Sequence, residues 1–449
     1  MSLMAALALC VTAVLWITMA PGSGSPRSGP DLSAHQVRYQ KVFDAMFKNA
    51  PASVRLAAQQ RYQEAFLNSW QPAWNLKPQG PTPCVNGHAG EWPCKGLDLL
   101  SYLPMSALGG GNSNDVWGWT DPDTNKEYAI LGRTNGTAFV DITDPAAPVY
   151  LGNLPSFNGY TSSWRAIKVY RNYAYVVADA VPHGMQVFDL TKLRNIPNPP
   201  VTFNADYHYT AQGMGNVHTL AVNEDTGYLY AVGSNTCGAG LHMIDVHTNP
   251  AVPTFAGCFS NDGYVHETQC VTYHGPDATY QGHEVCFGHD EDTVTIIDVT
   301  DKAHPVQISR TPYSGSGYTH QGWLTADQSH LVVDDELDEI FSGHNVWTRI
   351  FDVRNLDSVP APKIFKANRP NIDHNLYIIG RYVYQSQYRA GLRIIDSKPK
   401  FHEVAYFDVY PSDDQPEFNG SWNNYPFFKS GVIVVGGIEQ GLFVLQPTF

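Results

Sequence analysis

Residues 240–246 read GLHMIDV, and near-copies of this stretch recur along the chain. Each copy is a short run rich in Val, Ile and Phe, and most copies end in Asp followed by a turn. The copies are GTAFVDI from Gly136, GMQVFDL from Gly184, TVTIIDV from Thr293, TRIFDV from Thr348, GLRIIDS from Gly391 and GLFVLQP from Gly441. Such a run is typical of a β-strand whose final Asp caps the following turn. About seven copies at a period of roughly 45–55 residues indicate a repeat architecture of the propeller kind.

Each copy lies within a longer repeat. In one repeat, strand-like segments at 217–222, 228–233, 240–246 and 254–259 are joined by short turns. Four such strands form a propeller blade, and blades must stack around an axis because one blade cannot bury both of its faces. We therefore predict an all-β propeller, with seven four-stranded blades favoured over six blades and an irregular end. The expected blades run over 115–154, 164–203, 217–259, 265–309, 319–365 and 373–409, and the seventh begins at Ser421.

The last repeat stops after GLFVLQP and lacks a fourth strand. A closed ring needs that strand from elsewhere in the chain. The apolar segment 97–103 precedes the first blade, and we predict that it completes the seventh blade. We divide the chain into a signal peptide at 1–20, a spacer with two short amphipathic helices at 21–80, and the propeller at 81–449.

The first twenty residues are apolar and end in Thr18, Met19 and Ala20, which is typical of a secretory signal peptide. An uncleaved membrane anchor is the alternative, because the apolar run is long enough to span a membrane. Six cysteines follow this segment, and an oxidised, exported protein would pair them. Proximity in sequence favours Cys84 with Cys94, Cys237 with Cys258, and Cys270 with Cys286. We predict a secreted or cell-surface protein.

The composition limits the partners. The formal net charge is −14, so no basic stripe is present to replace the counterions of a nucleic acid. Charged residues make up only 16% of the chain, which contains 38 Gly and 31 Pro, as expected of a turn-rich β protein. We expect a monomer whose partner is an extracellular protein or a glycan.

One position of the repeat is polar where the first strand of a blade begins. This column comprises Arg165, His218, His266, His320, His374 and Trp422. Because first strands line the channel of a propeller, four imidazoles would converge on one mouth of that channel. Neutral imidazoles bind divalent transition metals, so the four histidines are candidate ligands of such a metal. Nearby candidates for the mouth are Glu267, Gln321, Asp335, Asn375 and Asn423.

A structural interpretation of the same column competes with the metal site. A histidine at one position of each blade also suits a hydrogen bond to the backbone of the neighbouring blade, which would fix the ring. Loops expected on the same face carry Glu336 in the acidic stretch VVDDELDEIF, and Tyr388 and Arg389 in QYRAG. These three residues are the candidates for catalysis, because a carboxylate or phenol can act as a base and an arginine can neutralise a substrate carboxylate.

The repeats resemble those of the LVIVD-repeat proteins, and the whole chain resembles the choice-of-anchor B family of exported proteins. The resemblance covers nearly everything from CVNGHAGEWPC to the C-terminus. It rests on the segments DVWGWTDPDTNKEYAILG, NGTAFVDITDP, GMQVFDLTKLR, NEDTGYLYAVGSNTCGAGLHMIDV, EDTVTIIDVTDK, YTHQGWLTADQ, DDELDE, DHNLY, YRAGLRIID and FNGSWNNYPFF. It implies a secreted or surface β-propeller, and it implies no particular activity or catalytic residues.

Two functions remain open from the sequence. The first is a binding module that uses the polar and aromatic channel mouth, to which Trp117, Trp119, Trp422 and Tyr388 would contribute. The second is a metal-dependent extracellular enzyme, a polysaccharide lyase or hydrolase, with the histidine column as its metal site. No P-loop, GxSxG, HExxH or dinucleotide fingerprint occurs to decide between them.

Overall fold

The computed structural model describes residues 40, 43, 44, 46–48, 50–69 and 76–449. The signal peptide predicted at 1–20 and the first part of the predicted spacer lie outside the described residues. All seven predicted repeats lie within them.

Seven sheets, each built on four antiparallel strands, form the blades of a propeller. Blade 1 comprises Ser113–Thr120, Glu127–Arg133, Gly136–Asp141 and Val149–Pro155, and blade 2 comprises Arg165–Tyr170, Tyr173–Ala178, Met185–Asp189 and Tyr207–Tyr209. Blade 3 comprises Thr219–Asn223, Tyr228–Val232, Leu241–Asp245 and Thr254–Phe259, and blade 4 comprises Glu267–Thr272, Glu284–His289, Thr293–Asp298 and Val306–Pro312. Blade 5 comprises Thr319–Leu324, His330–Asp335, Trp347–Asp352 and Lys363–Lys366, and blade 6 comprises Leu376–Ile379, Tyr382–Ser386, Leu392–Asp396 and His402–Phe407. Blade 7 comprises Ser421–Tyr425, Ile433–Gly437, Gly441–Pro447 and Leu97–Pro104. The prediction of seven four-stranded blades is confirmed.

The first strand of each blade contacts the first strands of both neighbouring blades. The seven first strands therefore line the central channel. Every copy of the GLHMIDV stretch forms the third strand of its blade, where nearly all of its apolar residues are buried. The terminal aspartates cap turns as predicted: Asp245, for example, accepts a hydrogen bond from the N–H of His247 at 2.8 Å.

Strand Leu97–Pro104 pairs antiparallel with Gly441–Pro447 and supplies the fourth strand of blade 7. The sequence analysis expected this strand at 97–103. Two further short strands, His88–Ala89 and Trp92–Lys95, extend the outer edge of blade 6. Phe443, in the third strand of blade 7, packs on Tyr102 and Trp92 with ring centroids 4.6 and 5.0 Å away, so aromatic packing reinforces the closure of the ring.

Blade 2 differs from the expected range 164–203. Its fourth strand is Tyr207–Tyr209, and the segment Val201–Thr202 pairs in parallel with the fourth strand of blade 1. The expected end at Phe203 was therefore wrong. Phe203 packs edge-on against Phe139 of blade 1, with ring centroids 5.5 Å apart, and this contact holds the segment against the neighbouring blade.

Three disulfides join Cys84 to Cys94, Cys237 to Cys258, and Cys270 to Cys286. These are the pairs that proximity in sequence favours. Cys270 and Cys286 lie directly opposite each other on the first two strands of blade 4. In each of the other two bridges, a cysteine outside the strands, Cys84 or Cys237, is joined to a cysteine within a strand, Cys94 or Cys258.

Two helices have complete bounds in the described residues: α1 at Ala52–Asn68 and the short α2 at Asp338–Ser342 in blade 5. The first helix predicted before α1 falls largely outside the described residues, although residues 40, 43, 44 and 46 are helical. Helix α1 buries Ala58 and Ala65 against the propeller and leaves Val54 and Leu56 exposed. In the described part of the chain, no helix is both long and apolar enough to cross a membrane.

Candidate functional site

The four histidines of the column form a continuous arc at one end of the channel. The ring centroids of His218 and His266 are 4.2 Å apart, those of His266 and His320 are 4.5 Å apart, and those of His320 and His374 are 4.2 Å apart. Trp422 continues the arc at 5.1 Å from His374. This arc places imidazoles from blades 3 to 6 side by side because each residue opens the first strand of its blade.

Each imidazole of the arc has its Nδ1 directed at a protein oxygen. His374 donates to the carbonyl of Trp422 at 2.5 Å, and His266 donates to the carbonyl of His320 at 3.3 Å. Both carbonyls belong to the next blade, which is the contact that the structural interpretation of the column requires. His320 instead donates to the Asp334 carboxylate at 2.8 Å, and His218 lies 3.4 Å from that of Asp179. A proton on Nδ1 leaves Nε2 as the basic nitrogen of the ring.

Glu336 joins the arc from the loop that follows the second strand of blade 5. One of its carboxylate oxygens lies 3.8 Å from Nε2 of His374 and accepts a hydrogen bond from the Tyr388 hydroxyl at 2.8 Å. One ligand atom each from His320, Glu336 and His374 lies within 4.8 Å of the other two. We call these three residues the His–Glu group.

Burial sets the charge of the His–Glu group. It lowers the pKa of His320 and of His374 well below the ordinary range, so both imidazoles are neutral. Burial, together with the negative charges of Asp334 and Asp335, raises the pKa of Glu336 to about 8, against the lowering effect of the Tyr388 hydroxyl. All three residues are at most 4% exposed.

A second group of possible metal ligands lies in the same loop. Asp338, Glu339 and His344 also offer ligand atoms within 4.8 Å of one another. Asp338 forms a 2.5 Å ion pair with the buried Arg349, so the carboxylate of Asp338 has a positively charged partner. Burial raises the pKa of Asp338 to about 7.

The remaining predicted residues hold the ring together. Gln321 accepts a hydrogen bond from the N–H of Leu376 at 2.9 Å and donates to its carbonyl at 3.0 Å, which fastens blade 5 to blade 6. Asp335 accepts from the N–H groups of Gly317 and Tyr318. These contacts occupy side chains that the sequence analysis assigned to a binding mouth.

Arg165, Asn423 and Arg389 also have structural partners. Arg165 is buried and donates to the carbonyl of Arg133 at 2.7 Å. Asn423 donates to the Asp115 carboxylate. Arg389 donates to Asp413 and to Asn419, so it lies in a separate ion-pair network and does not join the His–Glu group.

The histidine end of the channel is covered. Helix α1 packs over it, and an apolar cluster contains Ala58 and Ala65 of α1 together with Trp164, Phe341 and Trp422 of the propeller. Tyr62 of α1 packs against this cluster, and burial and the charge of Glu336 raise its pKa. Arg61 of α1 donates to the carbonyls of Ile340 and Phe341. The mouth predicted from the sequence is therefore closed by a segment that the sequence analysis treated as a spacer.

The opposite end of the channel holds an open cavity of about 490 Å³. Its aromatic side chains are Trp117, Trp323, Tyr377, Tyr425 and Phe427, from the contiguous blades 5, 6, 7 and 1. We call them the aromatic wall.

The facing side of the open cavity belongs to blades 3 and 4 and is more polar, with Asn223, Asp225, Gln269, Thr272 and His274. Lys168 and Glu267 lie where this cavity meets a second one, of about 20 Å³, beneath the histidines. Burial raises the pKa of Glu267 to about 8. Asn375, like His320 and His374, lines the smaller cavity.

The four aromatic residues that were predicted to lie together at one mouth of the channel are separated in the structure. Trp117 belongs to the open cavity, whereas Trp422 and Tyr388 are buried at the histidine end. Trp119 stacks on Tyr128 inside blade 1, with ring centroids 5.1 Å apart. Grouping these four residues on one face was therefore wrong. Trp117 and Trp422 lie on first strands but at opposite ends of the channel, and Trp119 packs inside its blade.

The sequence contains a signal for the aromatic wall, although the predicted mouth included only Trp117 of this wall. An aromatic residue follows the column position by three residues in blades 5, 6 and 7, as Trp323, Tyr377 and Tyr425. Three residues along a strand span about 10 Å. The column and this second set therefore mark the two ends of the same channel.

Comparisons with known proteins identify no family for this chain. No protein-family model and no curated protein matches the chain. The resemblance to the LVIVD-repeat and choice-of-anchor B proteins therefore stays a prediction.

Many solved structures resemble the chain at low identity. The β-propeller domain of Myceliophteria thermophila Cps50 (Swd1) has a TM-score of 0.48 at 14% identity, covering 76% of this chain and 98% of that one. Kuenenia stuttgartiensis hydrazine synthase also has a TM-score of 0.48, at 12% identity over 71% of this chain and 91% of that one. The extracellular domain of a putative one component system from B. thetaiotaomicron scores 0.48 at 13% identity, over 78% and 42%. At this level of similarity we transfer no function.

Proposed function

We propose that this protein is an exported β-propeller that binds a glycan in the open, aromatic end of its channel. The observation that carries the proposal is the cavity of about 490 Å³ with an aromatic wall on one side and amide, hydroxyl and carboxylate groups on the other. Cavities of roughly 300–1,000 Å³ suit small ligands. Sugar rings present apolar C–H faces and polar rims, and they match such a pair of surfaces.

The proposal of export rests on the three disulfides. Disulfides persist in oxidising compartments and are rare in the cytosol. The bridge between Cys270 and Cys286 crosses adjacent strands inside a blade, where both cysteines are buried. The apolar N-terminal run, predicted to be a signal peptide, supports the same location.

The aromatic wall has the geometry of a stacking surface. Phe427 lies at its centre, with ring centroids 5.4 Å from Tyr425, 5.6 Å from Tyr377 and 6.0 Å from Trp323. Trp323, Tyr425 and Phe427 are only half-buried, so they keep surface available to a ligand. Lys168 lies with its Nζ 4.0 Å from the Trp117 ring and adds a positive charge near the floor of the cavity.

The alternative of a polysaccharide lyase or hydrolase at the histidine end fits the geometry less well. Helix α1 covers that end, so a polysaccharide cannot approach the histidines from that side while the helix is in place. The Tyr388 hydroxyl donates to Glu336, and Arg389 is engaged by Asp413 and Asn419. We therefore place ligand recognition at the opposite, open end.

The test is a glycan array probed with the full exported chain, followed by titration calorimetry with the best ligand. We expect Trp323→Ala to weaken binding by about tenfold or more, because a ring that stacks on the ligand is lost. Trp347→Ala is the matched control: it is a half-buried tryptophan of the same blade that does not line the cavity. Chelator should leave binding unchanged.

Three results would refute the proposal. The first is the absence of glycan binding by a folded, monodisperse protein. The second is equal loss of affinity in Trp323→Ala and Trp347→Ala. The third is capture of a protein partner through a surface that excludes the cavity.

A further inference from the structure

We propose that the His–Glu group binds one divalent transition-metal ion, of the zinc class, inside the propeller beneath helix α1. The ligands are His320 of blade 5, Glu336 of the loop after the second strand of that blade, and His374 at the start of blade 6. This site lies at the closed end of the channel and is independent of the glycan cavity. Two imidazoles and one carboxylate form a donor set that suits such ions.

The distances are those of a site that needs only small adjustments. The three ligand atoms lie within 4.8 Å of one another, and Nε2 of His374 is 3.8 Å from the nearer oxygen of Glu336. Ligands of tetrahedral zinc, at about 2.0–2.1 Å from the ion, lie roughly 3.3 Å apart. Shifts of less than about 1 Å per side chain would close the difference.

Neighbouring groups orient all three ligands. The Nδ1 of His320 bonds to the Asp334 carboxylate, and the Nδ1 of His374 bonds to the Trp422 carbonyl. Metal-binding histidines commonly donate their second N–H to a carboxylate or a backbone carbonyl in this way. The Tyr388 hydroxyl, at 2.8 Å, fixes one oxygen of Glu336. The ligand set is therefore held in position by the propeller itself.

The surroundings favour a bound cation. Asp334, Asp335 and Glu336 are consecutive acidic residues, all buried, and Arg349 is the buried arginine beside Asp335. Buried carboxylates are costly unless they are paired, protonated or bound to a metal. His320 and His374 also line the cavity of about 20 Å³, which has room for roughly one water as a fourth ligand.

His218 and His266, which the sequence analysis included among the ligands, are not assigned to this ion. They continue the arc of rings but lie outside the set of ligand atoms within 4.8 Å. The third protein ligand is the carboxylate of Glu336 and not a third imidazole. The site thus draws on blades 5 and 6 alone, where the long acidic loop reaches back over the channel.

The test measures metal content by elemental mass spectrometry. The full chain is exported without a polyhistidine tag, purified without chelator and dialysed against metal-free buffer. We expect about one equivalent of a transition metal per chain, and a decrease of about tenfold or more in His320→Ala, in His374→Ala and in the isosteric Glu336→Gln. His242→Ala is the matched control, since His242 is buried and both of its nitrogens have partners, Tyr209 and Thr236.

X-ray absorption of the wild-type protein tests the ligand set even where a variant does not fold. We expect two imidazoles and oxygen ligands in the first coordination sphere. The proposal is overturned if folded wild-type protein takes up no Zn²⁺ or Co²⁺ under dialysis. It is also overturned if His242→Ala loses as much metal as His320→Ala. Loss in Asp338→Asn with retention in Glu336→Gln would move the ion to the group of Asp338, Glu339 and His344 and refute this assignment.

Discussion

Arg61 should control how firmly helix α1 covers the histidine end of the channel. Its Nε donates to the carbonyl of Ile340 at 2.7 Å and its Nη2 to that of Phe341 at 2.5 Å. Both carbonyls lie near the C-terminus of α2, where backbone oxygens lack partners within the helix. Arg61→Ala removes both bonds and leaves the apolar contacts of Ala58, Tyr62 and Ala65 in place.

The magnitude follows from the bonds that are lost. Hydrogen bonds to a charged group contribute about 1.5–3 kcal/mol, and water can replace part of this at a half-buried position. We expect the free energy of opening α1 to fall by about 2 kcal/mol, or about 30-fold in the opening equilibrium. The substitution does not weaken the helix itself, because alanine has the higher helix propensity.

Amide hydrogen exchange followed by mass spectrometry measures this opening directly. Peptides covering α1 should exchange about 30-fold faster in Arg61→Ala, while peptides of the blades keep their protection. Arg55→Ala is the control: Arg55 is in the same helix, and its ion pair with Asp44 is largely exposed, so we expect about 0–1 kcal/mol. Equal exchange in the two variants would refute the anchoring role of Arg61, and faster exchange throughout the blades would show that the covering helix and the propeller open together.

Three further predictions concern stability and disulfide pairing. Phe443→Ala should lower the free energy of unfolding in urea by about 3–5 kcal/mol, because it empties a fully buried site between the closing strand and blade 6. Val306→Ala should change this free energy little, because Val306 is 60% exposed. Similar effects of the two substitutions would contradict the proposed packing at the ring closure. Non-reducing peptide mapping of the exported chain should find Cys84 with Cys94, Cys237 with Cys258 and Cys270 with Cys286, and any other pairing would oppose the arrangement of strands. Burial raises the pKa of Asp408 to about 6. Between about pH 4 and 6, the folded state therefore keeps a proton that the unfolded state has released. The free energy of unfolding should then fall with rising pH over this range, by about 3 kcal/mol at most. Asp408→Asn should flatten urea midpoints over that range, and an unchanged slope would show that another group titrates.

The fold could be predicted because its determinants are local and repeated. The GLHMIDV stretch combines β-branched residues with an Asp turn, and both signals act within a few residues. The seven copies and their regular spacing then give the number of blades. The boundary of blade 2 could not be predicted in this way, because Val201–Thr202 pairs with blade 1 through the long-range contact between Phe203 and Phe139.

The site was predictable only in part, for a related reason. The column gave the residues that begin the first strands, and the arc of His218, His266, His320 and His374 follows from that position. The cover formed by α1 depends on contacts between residues some 280 positions apart, such as that of Arg61 with Ile340. Such contacts leave no pattern in a single sequence. The same holds for Glu336, whose loop reaches the histidines only in the folded ring.

The structural and the metal-binding interpretations of the column do not exclude each other, because they use different nitrogens of the same ring. The Nδ1 of His374 bonds to the backbone of blade 7 and so joins blade 6 to blade 7, and that bond in turn presents Nε2 toward Glu336. A hydrogen bond that stabilises the propeller therefore also preorganises a ligand. His266 makes the same kind of bond, to blade 5, but its nitrogens lie outside the set assigned to the ion. The difference between a structural histidine and a metal ligand in this column is then the acidic loop of blade 5, and Glu336→Gln isolates that difference without changing any histidine.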